Sequence, residues 1–162
     1  MDDDPGNAPW LLAQLNLSRL LAPVDSPRLE PFVARLAEVN ALAEASPGFV
    51  WRQVDGDGPG NNLGTRPFGD DVLVNLSVWR DVESLVAFVY RTAHGAVMQR
   101  RDDWFHPPLE PMTVLWWIPA GHRPSVTEAG RRLQSLRERG PTPEAFSLRQ
   151  RFSPPTAPRP SA

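Results

Sequence analysis

Polar and apolar side chains alternate most regularly in residues 72–79, VLVNLSVW, a pattern that is typical of a β-strand. Because successive side chains of a strand point to opposite faces, we expect Asn75, Ser77 and Trp79 on one face and aliphatic residues on the other. The carboxamide and the indole then point the same way. This strand therefore predicts one wall of a small-molecule pocket.

The segment that follows has helical spacing and predicts a helix that begins after Asp81 and extends to about Phe105. Asp81 is a favourable residue for capping its first turn. Tyr90 and His94 are one helical turn apart, so they lie on the same side of this helix. We expect these two side chains to close the pocket from above.

The other elements follow from similar patterns and from the Pro and Gly residues between them. Asn16 lies on the first predicted strand, on the same face as Gln14. The remaining predicted elements are a strand over 10–17, a helix from Ser26–Pro27 to about Ala45, strands over 48–54 and 112–119, and a helix from Ser125 to about Arg139.

The predicted order, β-α-β-β-α-β with an additional C-terminal helix, indicates an α+β protein of the ferredoxin-like class. Two helices then cover one face of a four-stranded antiparallel sheet and leave the other face open. Apolar residues on both faces of the fourth strand predict that a second subunit covers the open face, so we expect a homodimer. We expect the folded domain over residues 10–150, a disordered start over 1–9 and a disordered Pro-rich tail over 151–162.

The amino-acid composition excludes several kinds of binding and catalysis. The formal net charge of −2 gives no sign of nucleic-acid binding. The absence of Cys and Lys excludes thiolate chemistry and Schiff-base catalysis, and the three His residues stand in unrelated contexts, so we expect no metal site. No apolar run approaches the ~20 residues of a membrane helix, and the acidic start lacks a signal-peptide pattern, which predicts a cytoplasmic protein without membrane contact.

Four segments carry a resemblance to known proteins: LAQLNLSRL, VNALAEASPGFVWR, LVNLSVWRDVESLVAFVYRTAH and VLWWIPAGHRPSVTEA. With the order of the elements, they resemble the dimeric α+β-barrel superfamily, which includes the antibiotic-biosynthesis monooxygenases. The resemblance is closest to the family called domain of unknown function 3291, and it extends over roughly residues 10–150. It implies the dimeric α+β-barrel fold and a small-molecule role in secondary metabolism, without naming a substrate.

In that superfamily, cofactor-free oxygenases of aromatic polyketides have an Asn and a Trp four residues apart on an inner strand and a further Asn on the first strand. The matching positions here are Asn75, Trp79 and Asn16. The resemblance implies that the two amides stabilise a developing oxyanion, that the indole stacks on the substrate and that no cofactor takes part. His94 or Tyr90 would then transfer protons.

The haem-degrading members of the superfamily pair the first-strand Asn with a Trp and a His on the second long helix. Here Phe88 stands at the position of that Trp, and His94 comes several residues early. Haem degradation is therefore disfavoured, while a haem protein that uses His94 as the iron ligand stays a third hypothesis.

Each candidate residue also has a purely structural explanation. Asn75 can pair with an amide of the neighbouring strand, and Trp79 can fill the seam between sheet and helices. Trp51 and Arg52, on the second strand, complete the candidate substrate-binding residues. Two main hypotheses follow: a cofactor-independent monooxygenase, cyclase or isomerase for an aromatic or polyketide-like substrate, and a non-catalytic protein that binds an apolar ligand.

Overall fold

The fold is known here from a computed structural model that describes residues 10–54, 68–93 and 95–155. The expectations for residues 1–9, for His94 and for the end of the tail lie outside these ranges. In chain order, the elements are β1 (Trp10–Arg19), α1 (Glu30–Glu44), β2 (Phe49–Arg52), β3 (Val72–Trp79), α2 (Val82–Ala93), α3 (Ala96–Gln99), α4 (Arg101–Trp104), β4 (Thr113–Pro119) and α5 (Val126–Arg139).

The four strands form one antiparallel sheet in the order β2-β3-β1-β4. The central strand β1 pairs with β3 on one side and with β4 on the other. This is the ferredoxin-like arrangement, which confirms the predicted α+β class. Strand β3 has the predicted bounds, whereas β2 is shorter than expected.

The sheet has two faces, and each is covered by different helices. On one face, Leu12 and Trp79 pack against residues of α1 and α2, including Ala43 and Leu85. We call this the α1–α2 face. On the other, the aliphatic side chains of β1, β3 and β4 pack against α5 through Ala129, Leu133 and Leu136. We call this the α5 face.

Helix α5 covers the sheet face that the sequence predicted to be open. The four aliphatic residues of β3 on this face, Val72, Val74, Leu76 and Val78, are each at most 8% exposed within a single chain. Trp116 of β4 is fully buried on the same face. The expectation that a second subunit covers this face is therefore wrong, because the chain's own C-terminal helix already occupies it.

The long second helix of the sequence prediction is also wrong, because three separate helices take its place. Helix α2 ends at Ala93, and α3 and α4 have four residues each. Near the end of α2, the Thr92 hydroxyl donates to the carbonyl oxygens of Phe88 and Val89, a bond that bends helices. Gly95 follows shortly and lowers helix propensity further.

The segment after α5 passes around the edge of the sheet at β4. The backbone of Phe146 exchanges two hydrogen bonds with that of Leu115, at 2.8 and 2.9 Å. The Trp117 indole then donates to the Phe152 carbonyl oxygen at 2.8 Å, and the Phe152 ring packs on the α1–α2 face. The packed part of the chain therefore extends beyond the predicted boundary at residue 150.

Candidate functional site

Five polar side chains lie together on the α1–α2 face of the sheet. We call this set the amide surface, and it consists of Gln14 and Asn16 of β1, Asn75 and Ser77 of β3, and Thr113 of β4. Their position follows from strand alternation, since the intervening residues point to the α5 face.

Strand register fixes how these side chains are arranged. Asn16 lies directly opposite Asn75 on one side and Thr113 on the other, while Gln14 lies opposite Ser77. Neighbouring strands are about 4.8 Å apart and alternate residues of one strand about 6.8 Å apart. The amide surface is therefore compact enough for one small molecule to touch several of its members.

Hydrogen bonds hold two of the three amides in a fixed orientation. The Trp79 indole Nε1 donates to Ser77 Oγ at 3.0 Å, and the Ser77 hydroxyl donates to Gln14 Oε1 at 3.2 Å. The Thr113 hydroxyl donates to Asn16 Oδ1 at 2.9 Å. Gln14 Oε1 and Asn16 Oδ1 each accept one hydrogen bond, so the amide oxygens, and not the NH₂ groups, face Ser77 and Thr113.

Asn75 differs from its neighbours because, in the described part of the chain, its side chain makes no hydrogen bond. The residue is half-buried on an inner strand. Its amide is not among the fully buried unpaired groups, so water or a ligand can reach its donors and its acceptor. The alternative expectation, that Asn75 pairs with Asn16 or Gln14, is not met.

Arg52 brings positive charge next to the amide surface. It lies opposite Ser77 in the β2–β3 register, and its side chain is 9% exposed. Its Nε donates to Glu44 Oε1 at 2.7 Å, which ties β2 to the end of α1. A guanidinium held this deep in the protein is a favourable contact for an anion.

Trp79 is part of the packing and does not present a free face. It is 1% exposed, the Phe88 ring stacks on it with a centroid distance of 5.2 Å, and the Phe49 ring meets its edge at 5.5 Å. Its N–H is taken by Ser77. Of the two expectations for this residue, the structure supports the one in which Trp79 fills the seam between sheet and helices.

Two other predicted site residues, Trp51 and Tyr90, are not brought to the amide surface. Trp51 points to the α5 face, where the Arg123 guanidinium lies 5.5 Å from its ring centre, because adjacent strand residues face opposite ways. Tyr90 is 70% exposed and lies on the outer side of α2. The expectation that it closes the pocket has no support, and His94 lies outside the described residues.

Sequence reasoning overlooked Thr113 as a partner of Asn16, because 97 residues separate the two. The signal was present, since alternation along β4 places Thr113 on the same face as Leu115 and Trp117. The strand register was needed to place it beside β1.

Two surface depressions lie elsewhere. One of about 480 Å³ is next to the loop before α1, around Val24 and Ser26, and one of about 510 Å³ is at the start of α5, around Arg123 and Arg132. Neither includes a residue of the amide surface. The amide surface is the stronger candidate, because its five polar side chains are half-buried or buried on three adjacent strands of the sheet.

The described ranges contain no cluster of three or more His, Cys, Asp or Glu side chains that would hold a metal ion. Within the same ranges, no helix combines the length and the apolar character needed to cross a membrane.

A family model called Domain of unknown function (DUF3291) matches residues 11–162, which is nearly the whole chain. The chain belongs to the DUF3291 family. This confirms the family to which the sequence segments pointed. A comparison with curated proteins gives no match.

Solved structures similar to this DUF3291 chain include three proteins of 15–16% sequence identity. A protein of unknown function, NE2512 from Nitrosomonas europaea, has a TM-score of 0.44 at 16% identity, with 72% of this chain and 96% of the other covered. SnoaB, a cofactor-independent oxygenase from Streptomyces nogalater, has a TM-score of 0.41 at 16% identity and the same coverages. MupZ from Pseudomonas fluorescens has a TM-score of 0.41 at 15% identity, with 91% and 96% covered.

Proposed function

We propose that this protein binds an aromatic or polyketide-like small molecule at the amide surface and stabilises an oxyanion that forms on it. Its reaction would be that of a cofactor-independent monooxygenase, or of a related cyclase or isomerase. The observation that carries the proposal is the half-buried Asn75 amide, which has no hydrogen-bond partner among the described residues and lies directly opposite Asn16.

The chemistry follows from the donors at this surface. When a phenol or an enolisable ketone loses a proton, negative charge develops on its oxygen, and fixed N–H donors stabilise that charge. Asn75 and Asn16 supply such donors at neighbouring positions. The resulting carbanion can react with O₂ or with an electrophilic carbon of the same molecule, and no metal or flavin is required.

The proposal assigns different roles to the other candidates. Trp79 supports the surface through its N–H and its packing, and we do not propose that it stacks on the substrate. His94 stays the proposed proton-transfer residue, because an imidazole titrates near neutral pH. Tyr90 has no role in this proposal, since its side chain is mostly in solvent.

Oxygen uptake by the purified protein with an anthrone substrate tests the proposal. The unaltered chain should consume O₂ without added cofactor, and Asn75→Ala should lower the rate about 100-fold, as the loss of one oxyanion donor does in other enzymes. Gln134→Ala, which removes an exposed amide of α5, is the matched control and should leave the rate unchanged. Equal rates for Asn75→Ala and the unaltered protein would contradict the assignment.

A non-catalytic binding role is the second candidate, and one observation favours it. The residues of the amide surface are amides and hydroxyls, none of which titrates near neutral pH. The surface can therefore bind a hydrogen-bond acceptor but cannot act as a general base. In that case a ligand should copurify unaltered and an anthrone should bind without turnover. Haem titration should give no bound Soret band under either candidate.

A further inference from the structure

We propose that Thr113 and Ser77 are positioning residues that make hydrogen-bond donors of the Asn16 and Gln14 amides. The ligand group taken by the amide surface is then an oxyanion, such as a carboxylate or an enolate. This inference rests on the proposed function, because it concerns the same surface, and it adds the charge of the ligand and the residues that select it.

A carboxamide has an acceptor oxygen and a donor NH₂ group, so an unrestrained Asn or Gln binds donors and acceptors equally well. Its selectivity depends on which end a neighbouring group has already used. At this surface, the two hydrogen bonds that involve amides are both accepted by the amide oxygens, Gln14 Oε1 and Asn16 Oδ1.

The direction of the first contact is set by Trp79. An indole N–H can only donate, so Ser77 Oγ accepts from Trp79 Nε1 at 3.0 Å. The Ser77 hydroxyl hydrogen then remains for a second partner, which is Gln14 Oε1 at 3.2 Å. This chain of bonds begins at a fully buried donor and ends at the Gln14 amide oxygen, which leaves the Gln14 NH₂ group for another partner.

Thr113 has the corresponding effect on Asn16 from the opposite side. Its hydroxyl is 2.9 Å from Asn16 Oδ1, and the two residues are paired across β1 and β4. The Asn16 NH₂ group is consequently directed away from Thr113. On its other side lies Asn75, the amide that the described structure leaves without a hydrogen bond.

The positive charge of Arg52, next to the amide surface, also favours an anionic ligand. Arg52 lies opposite Ser77, and its side chain is nearly as buried as the sheet core, whereas its partner Glu44 is 49% exposed. The carboxylate is therefore the better solvated member of this pair. An anion at the amide surface gains from Arg52, while a cation meets two NH₂ groups and a guanidinium.

Two ligands of the same ring system separate charge from shape: anthraquinone-2-carboxylate and anthraquinone-2-carboxamide. Their dissociation constants are measured by isothermal titration on the full chain at pH 7.5. Because hydrogen bonds to an ionised acceptor are about twice as strong as neutral ones, the carboxylate should bind at least 10-fold more tightly.

The variants test the positioning role through the ratio of the two constants. Thr113→Val keeps the shape but removes the hydroxyl, which frees the Asn16 amide to turn, so the ratio should fall to about 2. Thr113→Ser keeps the hydroxyl, so the ratio should stay close to that of the unaltered protein. Ser77→Ala should lower the ratio in the same way, and Thr127→Val, an exposed position on α5, should leave it unchanged. A variant that only loses packing should bind both ligands more weakly to the same extent, which leaves the ratio of the two dissociation constants unchanged.

The outcomes distinguish this inference from the proposal on which it rests. If both ligands bind the unaltered protein equally well, the amide surface is a binding site but does not select anions, and the inference is wrong. If the preference exists but survives in both Thr113→Val and Ser77→Ala, the positioning role is overturned. If neither ligand binds, the proposed function fails and this inference fails with it.

Discussion

Asn75 and Trp79 show how much the role of a single residue depends on its partners. Both side chains point to the α1–α2 face from the same strand. The Phe88 ring stacks on Trp79, the Phe49 ring lies perpendicular to it, and the indole N–H donates to Ser77 within the protein. Asn75 is half-buried and without a hydrogen bond among the described residues. The first residue is therefore part of the packing, and the second is the one for which we propose a ligand contact.

Asp81 supports a prediction about the contribution of a single residue to stability. Its Oδ1 accepts hydrogen bonds from the Ser84 backbone N–H at 2.8 Å and from the Ser84 hydroxyl at 2.7 Å, so it caps α2 as the sequence indicated. Asp81→Ala should lower the free energy of unfolding by about 1 kcal/mol at pH 7, the usual loss on removing an N-cap. Urea unfolding of both chains measures the difference.

The same pair of proteins gives a pH dependence. The hydrogen bond from the Ser84 side chain is the main cause that holds the pKa of Asp81 below its usual value of 3.8. A carboxylate whose pKa is lowered by folding stabilises the protein above its unfolded-state pKa, and this contribution is lost as the pH falls through the folded-state value. The stability difference between the two chains should therefore persist at pH 5 and shrink below pH 4. A difference that stays constant down to pH 2.5 would contradict it.

At the scale of elements, α1, β2 and α2 meet at Gly48. This residue has φ +85°, its carbonyl oxygen accepts from the Arg80 backbone N–H at 2.7 Å, and a Cβ placed on it would overlap the Ser84 side chain. The turn between α1 and β2 thus lies directly against the first turn of α2. A glycine is required here both for its backbone conformation and for its lack of a side chain.

Gly48→Ala should consequently destabilise the protein more than the backbone strain alone explains. Gly121 is the matched control, because its φ is +92° and a Cβ there has no neighbour within 4 Å. Gly121→Ala should lower the free energy of unfolding by about 1 kcal/mol and Gly48→Ala by about 3 kcal/mol. Equal losses at the two positions would mean that Ser84 moves aside without cost.

These elements also show how far the sequence was sufficient. Strand β3 and the N-terminus of α5 are encoded locally, by alternation in VLVNLSVW and by the Ser125 cap that accepts from the Glu128 N–H at 3.0 Å. Alternation also gave the strand faces of Asn16 and Asn75, whereas the resemblance implied that the two belong to one site. The local sequence pattern could not predict the rings that pack around Trp79 or the hydrogen bond from Thr113 to Asn16. Both depend on which distant elements become neighbours in the fold.

At the scale of the whole molecule, the C-terminal part covers the sheet face on which the pattern suggested a second subunit. Helix α5 covers one sheet face, and the segment with Phe146 pairs with the edge at β4. The opposite edge strand, β2, has only four residues and an irregular register between Phe49 and Trp51. Short, irregular edges resist pairing with another chain. Within one chain, therefore, one sheet face is covered and neither sheet edge offers a long, regular strand to a second copy.

Size-exclusion chromatography with light scattering tests this conclusion. We expect a mass near 18.0 kDa at micromolar concentration, because a partner on the α5 face would first have to displace Ala129, Leu133 and Leu136 from the sheet. A mass of twice that value would require another surface, and the outer side of α2, with Val89 at 36% and Tyr90 at 70% exposure, is the first to examine. In that event Tyr90→Glu should restore the monomer, whereas Thr127→Glu, on the solvent side of α5, should not.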